Sequence, residues 1–210
     1  MLMDLFGLRR DAYDRFHNED EYLETMNSSA DDKKVLLSYI SGRRVLDIGP
    51  GGGVLLDLIE QELQGKEAIG VDISENVVEA LERRRRLEHR NWRVLKGDAL
   101  NLTESIEPGS IDTVVFSSIL HELYSYIPFN GKKFNPETVR AALQSAFQLI
   151  PVGGRILIRD GIMTEPVEQT RRLTFSDLAA LEKLKRYAED FVGREIIFEQ
   201  IGPNEVRMPV

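Results

Sequence analysis

The chain's 210 residues suffice for one domain with a substantial core, and 42% hydrophobic with 30% charged residues is an ordinary globular composition. Lys and Arg number 27 against 35 Asp and Glu, a net charge of −8, which argues against a phosphate backbone as the main partner. Cysteine is absent, which excludes disulfides, thiolate metal sites and a cysteine nucleophile.

The opening "MLMDLFGLRRDAYDRF" has too few consecutive apolar residues for a signal peptide, and no stretch approaches the roughly 20 apolar residues of a membrane span. A soluble cytoplasmic protein without a membrane partner is expected. Residues 1–41 read as an N-terminal helical cap of one or two helices, interrupted at "MNSSADDK". There Ser29 or a neighbouring Asp can N-cap a helix reaching Ile40. Residues 42–210 then alternate in a regular way. "RRVLDIG" (43–49) is a strand, followed by a glycine turn and a helix through "VLLDLIEQEL". "EAIGVDI" (67–73) is the next strand, and Ser74 caps the helix that follows it. Further strands are expected over 92–98, 111–119 and 154–161, with a helix from Pro136 between the last two. A late helix around "TFSDLAALEKLKRYAEDFV" leads to two strand-like runs, "REIIFEQI" and "NEVRMPV", the second of which leaves room for residues beyond Val210.

Strands alternating with helices predict an α/β fold, a doubly wound and mostly parallel sheet with helices on both faces. Right-handed crossovers leave few other topologies. The whole reads as one compact domain.

The glycine turn "GPGGGV" (49–54) decides between ligands. A P-loop needs G-x-x-x-x-G-K-[ST], but no Lys and no Ser or Thr opens the helix here. A dinucleotide fingerprint needs G-x-G-x-x-G, whereas Gly49, Gly51 and Gly53 are spaced G-x-G-x-G. A plain strand–helix turn needs one glycine, not four within five residues.

An acid, one apolar residue and then G-x-G-x-G, read as Asp47, Gly49, Gly51 and Gly53, resembles the first motif of the class I, Rossmann-like S-adenosylmethionine (SAM) methyltransferases. The cofactor has no phosphate, so it requires room from the glycines and carboxylates at the sheet's carboxyl edge, where open parallel sheets bind ligands. Asp72 ends the second strand 19 residues after Gly53 and can accept from both ribose hydroxyls. Asp98 ends the third strand, where the family accepts from the adenine amino group. The likeness runs over roughly residues 43–161, including the helix, Pro-Gly-Gly turn and fifth strand of "AFQLIPVGGRILIRD". It implies an open sheet of the seven-stranded type, with the last two strands short or incomplete. It also implies a cofactor site of Asp47, Gly49, Pro50, Gly51, Gly53, Asp72, Ile73, Asp98, Ala99, Ser117 and Ser118.

Methyl transfer from a sulfonium is an in-line displacement in which the protein aligns the partners and sometimes supplies a base. His121, Glu122 and Tyr124, just past the fourth strand, are the catalytic candidates. His121 can take a proton from a hydroxyl or amine near neutral pH, or it can simply hydrogen-bond backbone or pack on the cofactor. No metal is expected, because a His-Glu-x-x-His site needs His where Ser125 stands. DNA is not an expected partner. Adenine methylation usually carries an Asn/Asp-Pro-Pro-aromatic motif where this chain has Ser117-Ser118-Ile119-Leu120, and cytosine C5 methylation needs a cysteine.

A small-molecule oxygen, nitrogen or carboxylate acceptor is favoured, with RNA and protein acceptors still open. Segment 120–135, with Tyr124, Tyr126, Phe129 and Phe134, reads as a lid over the acceptor or as a short extra helix on the core. Tyr13, Phe16, Tyr22 and Met26 could close over the cofactor or cover the sheet. Arg83–Arg86 point around the whole helix and find Glu79, Glu82 and Glu88 at helical spacing, which suggests a solvated, ion-paired helix. Arg171 and Arg172, placed near the start of the late helix, could meet an anionic substrate. The rival readings are a nucleotide- or NAD-binding oxidoreductase and a non-catalytic SAM-binding or regulatory subunit.

Overall fold

The structure, a computed structural model, describes residues 30–161, 169–191 and 195–209. These belong to two units, 9–160 and 161–210. Tyr13, Phe16, Tyr22, Met26 and the cap at Ser29 lie outside the described residues.

The first unit is a five-stranded parallel sheet in the order β3-β2-β1-β4-β5. Its strands are β1 (Arg44–Ile48), β2 (Glu67–Asp72), β3 (Arg93–Lys96), β4 (Thr113–Ser117) and β5 (Arg155–Arg159). The strand order reverses between β1 and β4, so the crevice at their carboxyl ends is where this architecture receives a ligand. The three central strands, β2, β1 and β4, are short and almost wholly buried because each face meets its own helical layer, whereas the edge strands β3 and β5 keep exposed residues. On one face Leu46, Ile48, Ile69, Val71, Val114 and Phe116 pack on α4 (Leu120–Tyr126) and α5 (Pro136–Leu149) through Leu123, Ala142, Ala146 and Leu149. On the other, Val45, Ala68, Val94 and Val115 meet α2 (Val54–Glu62) and α3 (Glu75–Leu87) through Leu55, Leu56, Ile59, Val77 and Leu81. Each Val, Leu, Ile or Phe among them contributes about 1.5–3 kcal/mol by leaving water.

The helix starts follow local chemistry. Ser74 accepts from the Val77 amide at the head of α3, and Asn135 accepts from the Glu137 amide ahead of Pro136. The segment before β1 is helix α1 (Ala30–Lys34) followed by a 3-10 turn (Val35–Tyr39). It runs along β5 from tip to foot: Asp32 accepts from Arg159, and the Tyr39 carbonyl accepts from Arg155. The entry to β1 is held by Asp112, which accepts from the Arg44 and Arg43 amides at 2.8 and 2.7 Å. Those two donors, Arg44 first, hold its carboxyl below the ordinary range.

The second unit differs from the expected continuation of one sheet. "TRRLT" forms a strand, β6 (Thr170–Thr174), so Arg171 and Arg172 stand on a strand and not at a helix start. After α6 (Leu178–Asp190) come β7 (Glu199–Gly202) and β8 (Glu205–Pro209). These three strands pair with one another in an antiparallel sheet of order β6-β8-β7. Arg172 is engaged by Glu205 at 2.6 Å. No helix of the described residues is long and apolar enough to cross a membrane.

Candidate functional site

The turn leaving β1 is built from both ends. Gly49 donates to the Val71 carbonyl at 2.9 Å, and Gly53 donates to the Pro50 carbonyl at 2.9 Å before heading α2. Gly49, Gly51 and Gly53 all have left-handed backbone, with φ of 66, 55 and 80°, a conformation that L side chains resist. Room for a ligand is only part of their use. A Cβ at Gly49 would lie 2.7 Å from Ile119 Cδ1, and one at Gly53 would lie 3.0 Å from Leu81 Cδ2. Ile119 and Leu81 occupy those spaces, so packing adds to the left-handed backbone in favouring glycine at both positions, more strongly at Gly49.

Beside the turn lies a recess walled by Ile48, Val71, Ile119, Leu123 and Ile127, with Gly49, Asp72, Ile73, Gly97, Asp98 and Ala99 along it. Two carboxylates stand at its edge on adjacent strand ends. Asp72 accepts from the Ser74 amide at 2.8 Å and Asp98 from the Leu100 amide at 2.9 Å, so each is oriented by its own turn. The structure thus brings Gly49, Asp72, Ile73, Asp98 and Ala99 around one apolar recess.

Asp47 sits elsewhere. Its side chain shares the α2–α3 face with Val45, and only 2% of the residue is exposed. Burial pushes its carboxyl up to about 7, against the pull of the Lys33 charge and with the help of the Asp72 charge. Among the described residues its Oδ1 has no hydrogen-bond partner, and neither has the buried Oγ of Ser117. Strand alternation puts Ser117 on the same face, one strand over at the tip of β4. Unsatisfied polar atoms are costly when buried. Asp47 pairs with Val115, so the two unmet atoms stand two positions apart along neighbouring strands. Lys33 of α1 is itself buried.

A second cluster forms where β4 and β5 end. Ser118 has a left-handed φ of 59°. Its amide donates to the Arg159 carbonyl at 2.7 Å, and its Oγ accepts from the Arg159 guanidinium at 2.8 Å. Non-glycine residues hold such a conformation where surroundings over-determine it. The bend starts α4, and there His121 Nδ1 lies 2.7 Å from Asp160 Oδ1 while the His121 amide points to Asp160 Oδ2 at 3.3 Å. The His121 side chain is 57% exposed and that of Asp160 11%. Glu122 is partly buried in the same helix. Tyr124 and Phe134 meet in a T-shaped ring contact, with centroids 6.1 Å apart. Segment 120–135 is therefore a short helix with Leu123 in the core, followed by a turn bridged between Phe129 and Lys132.

Sequence reasoning missed Lys33, Arg84, Arg159 and Asp160. Only Asp160 had a readable signal, an acid ending the fifth strand as Asp47, Asp72 and Asp98 end theirs. Arg84 of the arginine run is not purely solvated. It pairs with Glu88 and Asp57 and donates to the Gly52 carbonyl, while Arg85 pairs with Glu82 as helical spacing predicts.

Residues 46–156, more than half of the chain, match a family described as a methyltransferase domain. A SAM-dependent methyltransferase from Aquifex aeolicus superposes with a TM-score of 0.50 at 18% identity, over 92% of this chain and 97% of that one. An O-methyltransferase family protein from Burkholderia thailandensis gives 0.54 at 14% identity, over 92% of this chain and 60% of that one. A SAM-dependent methyltransferase from Archaeoglobus fulgidus gives 0.48 at 23% identity, over 88% and 76%. No curated protein matches the chain. The unmet Asp47 and Ser117 atoms and the carboxylate-edged recess suit a cofactor with an amino-acid half and an adenosine half. With a sheet whose strand order reverses beside a G-x-G-x-G turn, this chain belongs to the methyltransferase-domain family, and its cofactor is S-adenosylmethionine.

Proposed function

We propose that the chain methylates a hydroxyl oxygen or an amine nitrogen of a small molecule, with His121 as the general base. The reading rests on one observation, the 2.7 Å contact between His121 Nδ1 and Asp160 Oδ1. When the Nδ1 proton is donated to Asp160, Nε2 carries the lone pair and can take the acceptor's proton. The exposed ring leaves that nitrogen open to an incoming molecule. Arg159 and Ser118 support the arrangement by fixing the bend from which α4 departs.

S-adenosylmethionine, when bound, supplies an electrophilic methyl group for in-line displacement. The chain's own task is alignment. Asp72 and Asp98 would take the ribose hydroxyls and the adenine amino group, with Ile73 and Ala99 lining the recess. Asp47 would receive the ammonium and Ser117 a polar atom of the amino-acid half. Lys33 offers a buried cation for the carboxylate. Gly49, Pro50, Gly51 and Gly53 form the turn between the two halves, and Ser118 sets the step toward the acceptor. Glu122 and Tyr124 flank the base. The negative net charge supports a small molecule over RNA, and a cytoplasmic setting fits the sequence.

The test is a labelled-methyl assay with wild-type and His121→Ala protein against metabolite, RNA and protein pools. Label in a small molecule, lost in the variant, is expected. Equal turnover in the variant would remove the base, label only in RNA or protein would remove the acceptor class, and binding without any transfer would favour a regulatory subunit.

A further inference from the structure

We propose that Arg84 is the positioning residue of the glycine turn, fixing from behind the Gly52–Gly53 peptide against which the cofactor binds. The inference rests on the reading that this turn contacts the cofactor, and it concerns a residue outside the recess and outside the His121–Asp160 pair.

A peptide between glycines does not choose its own orientation. Gly51, Gly52 and Gly53 lack the Cβ atoms that would bar one sign of φ, so the Gly52–Gly53 plane can turn over at little steric cost. Its carbonyl and its amide hydrogen point in opposite directions because the unit is planar and trans. In the structure both ends are tied. The Gly53 amide donates to the Pro50 carbonyl at 2.9 Å, and the Gly52 carbonyl accepts from Arg84 Nη1 at 2.7 Å. Turning the plane over would break both bonds.

Arg84 can act as a fixed post because its own fork is held. Burial works against its charge, but hydrogen bonds to Glu88 and Asp57 keep the guanidinium firmly protonated. Its Nε donates to Glu88 at 2.9 Å, and its Nη2 pairs with Asp57 in the first turn of α2. Asp57 in turn accepts from Nε1 of Trp92, which is 1% exposed, at 2.9 Å. The post therefore ties α3, α2 and the entry to β3 to one carbonyl. A lysine has no planar fork to serve Gly52 and Asp57 together. A turn already held in its binding shape spares the cofactor the cost of ordering it.

Calorimetry with S-adenosylhomocysteine, amide exchange at Gly53 and thermal melting, on wild type, Arg84→Met, Arg84→Lys and Glu82→Gln, test this. Arg84→Met is expected to weaken binding about tenfold, the size of one lost charge-assisted hydrogen bond, and to speed Gly53 exchange. Arg84→Lys should move both in the same direction by less. Glu82→Gln, which loosens the Arg85 pair on the same helix and leaves the Arg84 bonds in place, should bind as wild type whatever it does to the melting temperature. Unchanged binding in both Arg84 variants overturns the proposal. So does a loss of binding in Glu82→Gln as large as that in Arg84→Met. Should Arg84→Met fail to fold, the comparison of Arg84→Lys with Glu82→Gln decides alone. Wild-type protein giving no heat would instead remove the cofactor site on which the proposal rests.

Discussion

Asp160 closes β5 and His121 opens α4, 39 positions apart in the chain, yet their side chains meet at 2.7 Å. Two adjacent parallel strands ending at the same level bring them together. If the pair works as base and orienting acid, Asp160→Asn should cut kcat about a hundredfold, at the lower end of what general-base catalysis contributes. The amide can accept from Nδ1–H less well and can also donate, which favours the tautomer with its proton on Nε2. Binding of S-adenosylhomocysteine, measured by calorimetry, should stay within about twofold. An Asp160→Asn enzyme with wild-type kcat would show that the contact is structural only.

Asp47 makes the protein's stability depend on pH in an unusual sense. Its folded carboxyl titrates at about 7 against an ordinary 3.8, because burial opposes its charge while Lys33 from α1 offsets part of that and Asp72 from β2 adds to it. The folded state thus prefers the protonated acid. Its contribution is complete below about pH 4 and is lost as pH rises through about 7. Cofactor-free protein should therefore lose stability on the order of a few kcal/mol from this group between those values. Asp47→Asn should flatten that segment of the curve in urea titrations. In the same variant the cofactor would lose its carboxylate partner, so higher stability should accompany weaker binding. A variant with the wild-type pH profile would show that Asp47 is not the titrating group.

Much of the first unit could be read from sequence for a simple reason. Strands buried on both faces must be nearly continuous apolar runs, and an acid at the end of such a run stands out, as Asp47 and Asp72 do; Asp98 was legible by its matching place after the third strand. Gly49 was legible as a turn but not as a packing requirement, because Ile119 is 70 positions away and nothing local links the two. Arg84 was hidden by its neighbours. A run of four arginines shows charge, but only the folded helix tells which one turns inward to a carbonyl. β6 escaped because "TRRLT" is polar, and its strand identity comes from pairing with β8.

Gly49→Ala puts a methyl group 2.7 Å from Ile119 Cδ1 on a backbone with φ of 66°. Both effects destabilise, together by about 2–4 kcal/mol. Ile119→Ala alone removes a partly buried side chain packed on the core, at about 1–3 kcal/mol. The double variant relieves the clash but not the backbone strain. Its loss should fall short of the sum by about 1 kcal/mol or more. Strict additivity in urea denaturation would mean that Ile119 does not press on the turn.

Ser118 separates strain from bonding. Its φ of 59° is unfavourable for any L residue, while its Oγ holds the Arg159 guanidinium at 2.8 Å. Ser118→Ala loses the hydrogen bond and keeps the strain. Ser118→Gly loses the same bond but adopts the left-handed backbone freely, so it should be the more stable of the two by about 0.5–1 kcal/mol. The two variants also differ in what they leave to α4. Glycine allows the bend to relax, which lets His121 drift from Asp160, whereas alanine keeps the bend. Turnover should therefore run opposite to stability, with Ser118→Ala the better enzyme. Both quantities ranking the same way would show that the strained bend does not aim His121.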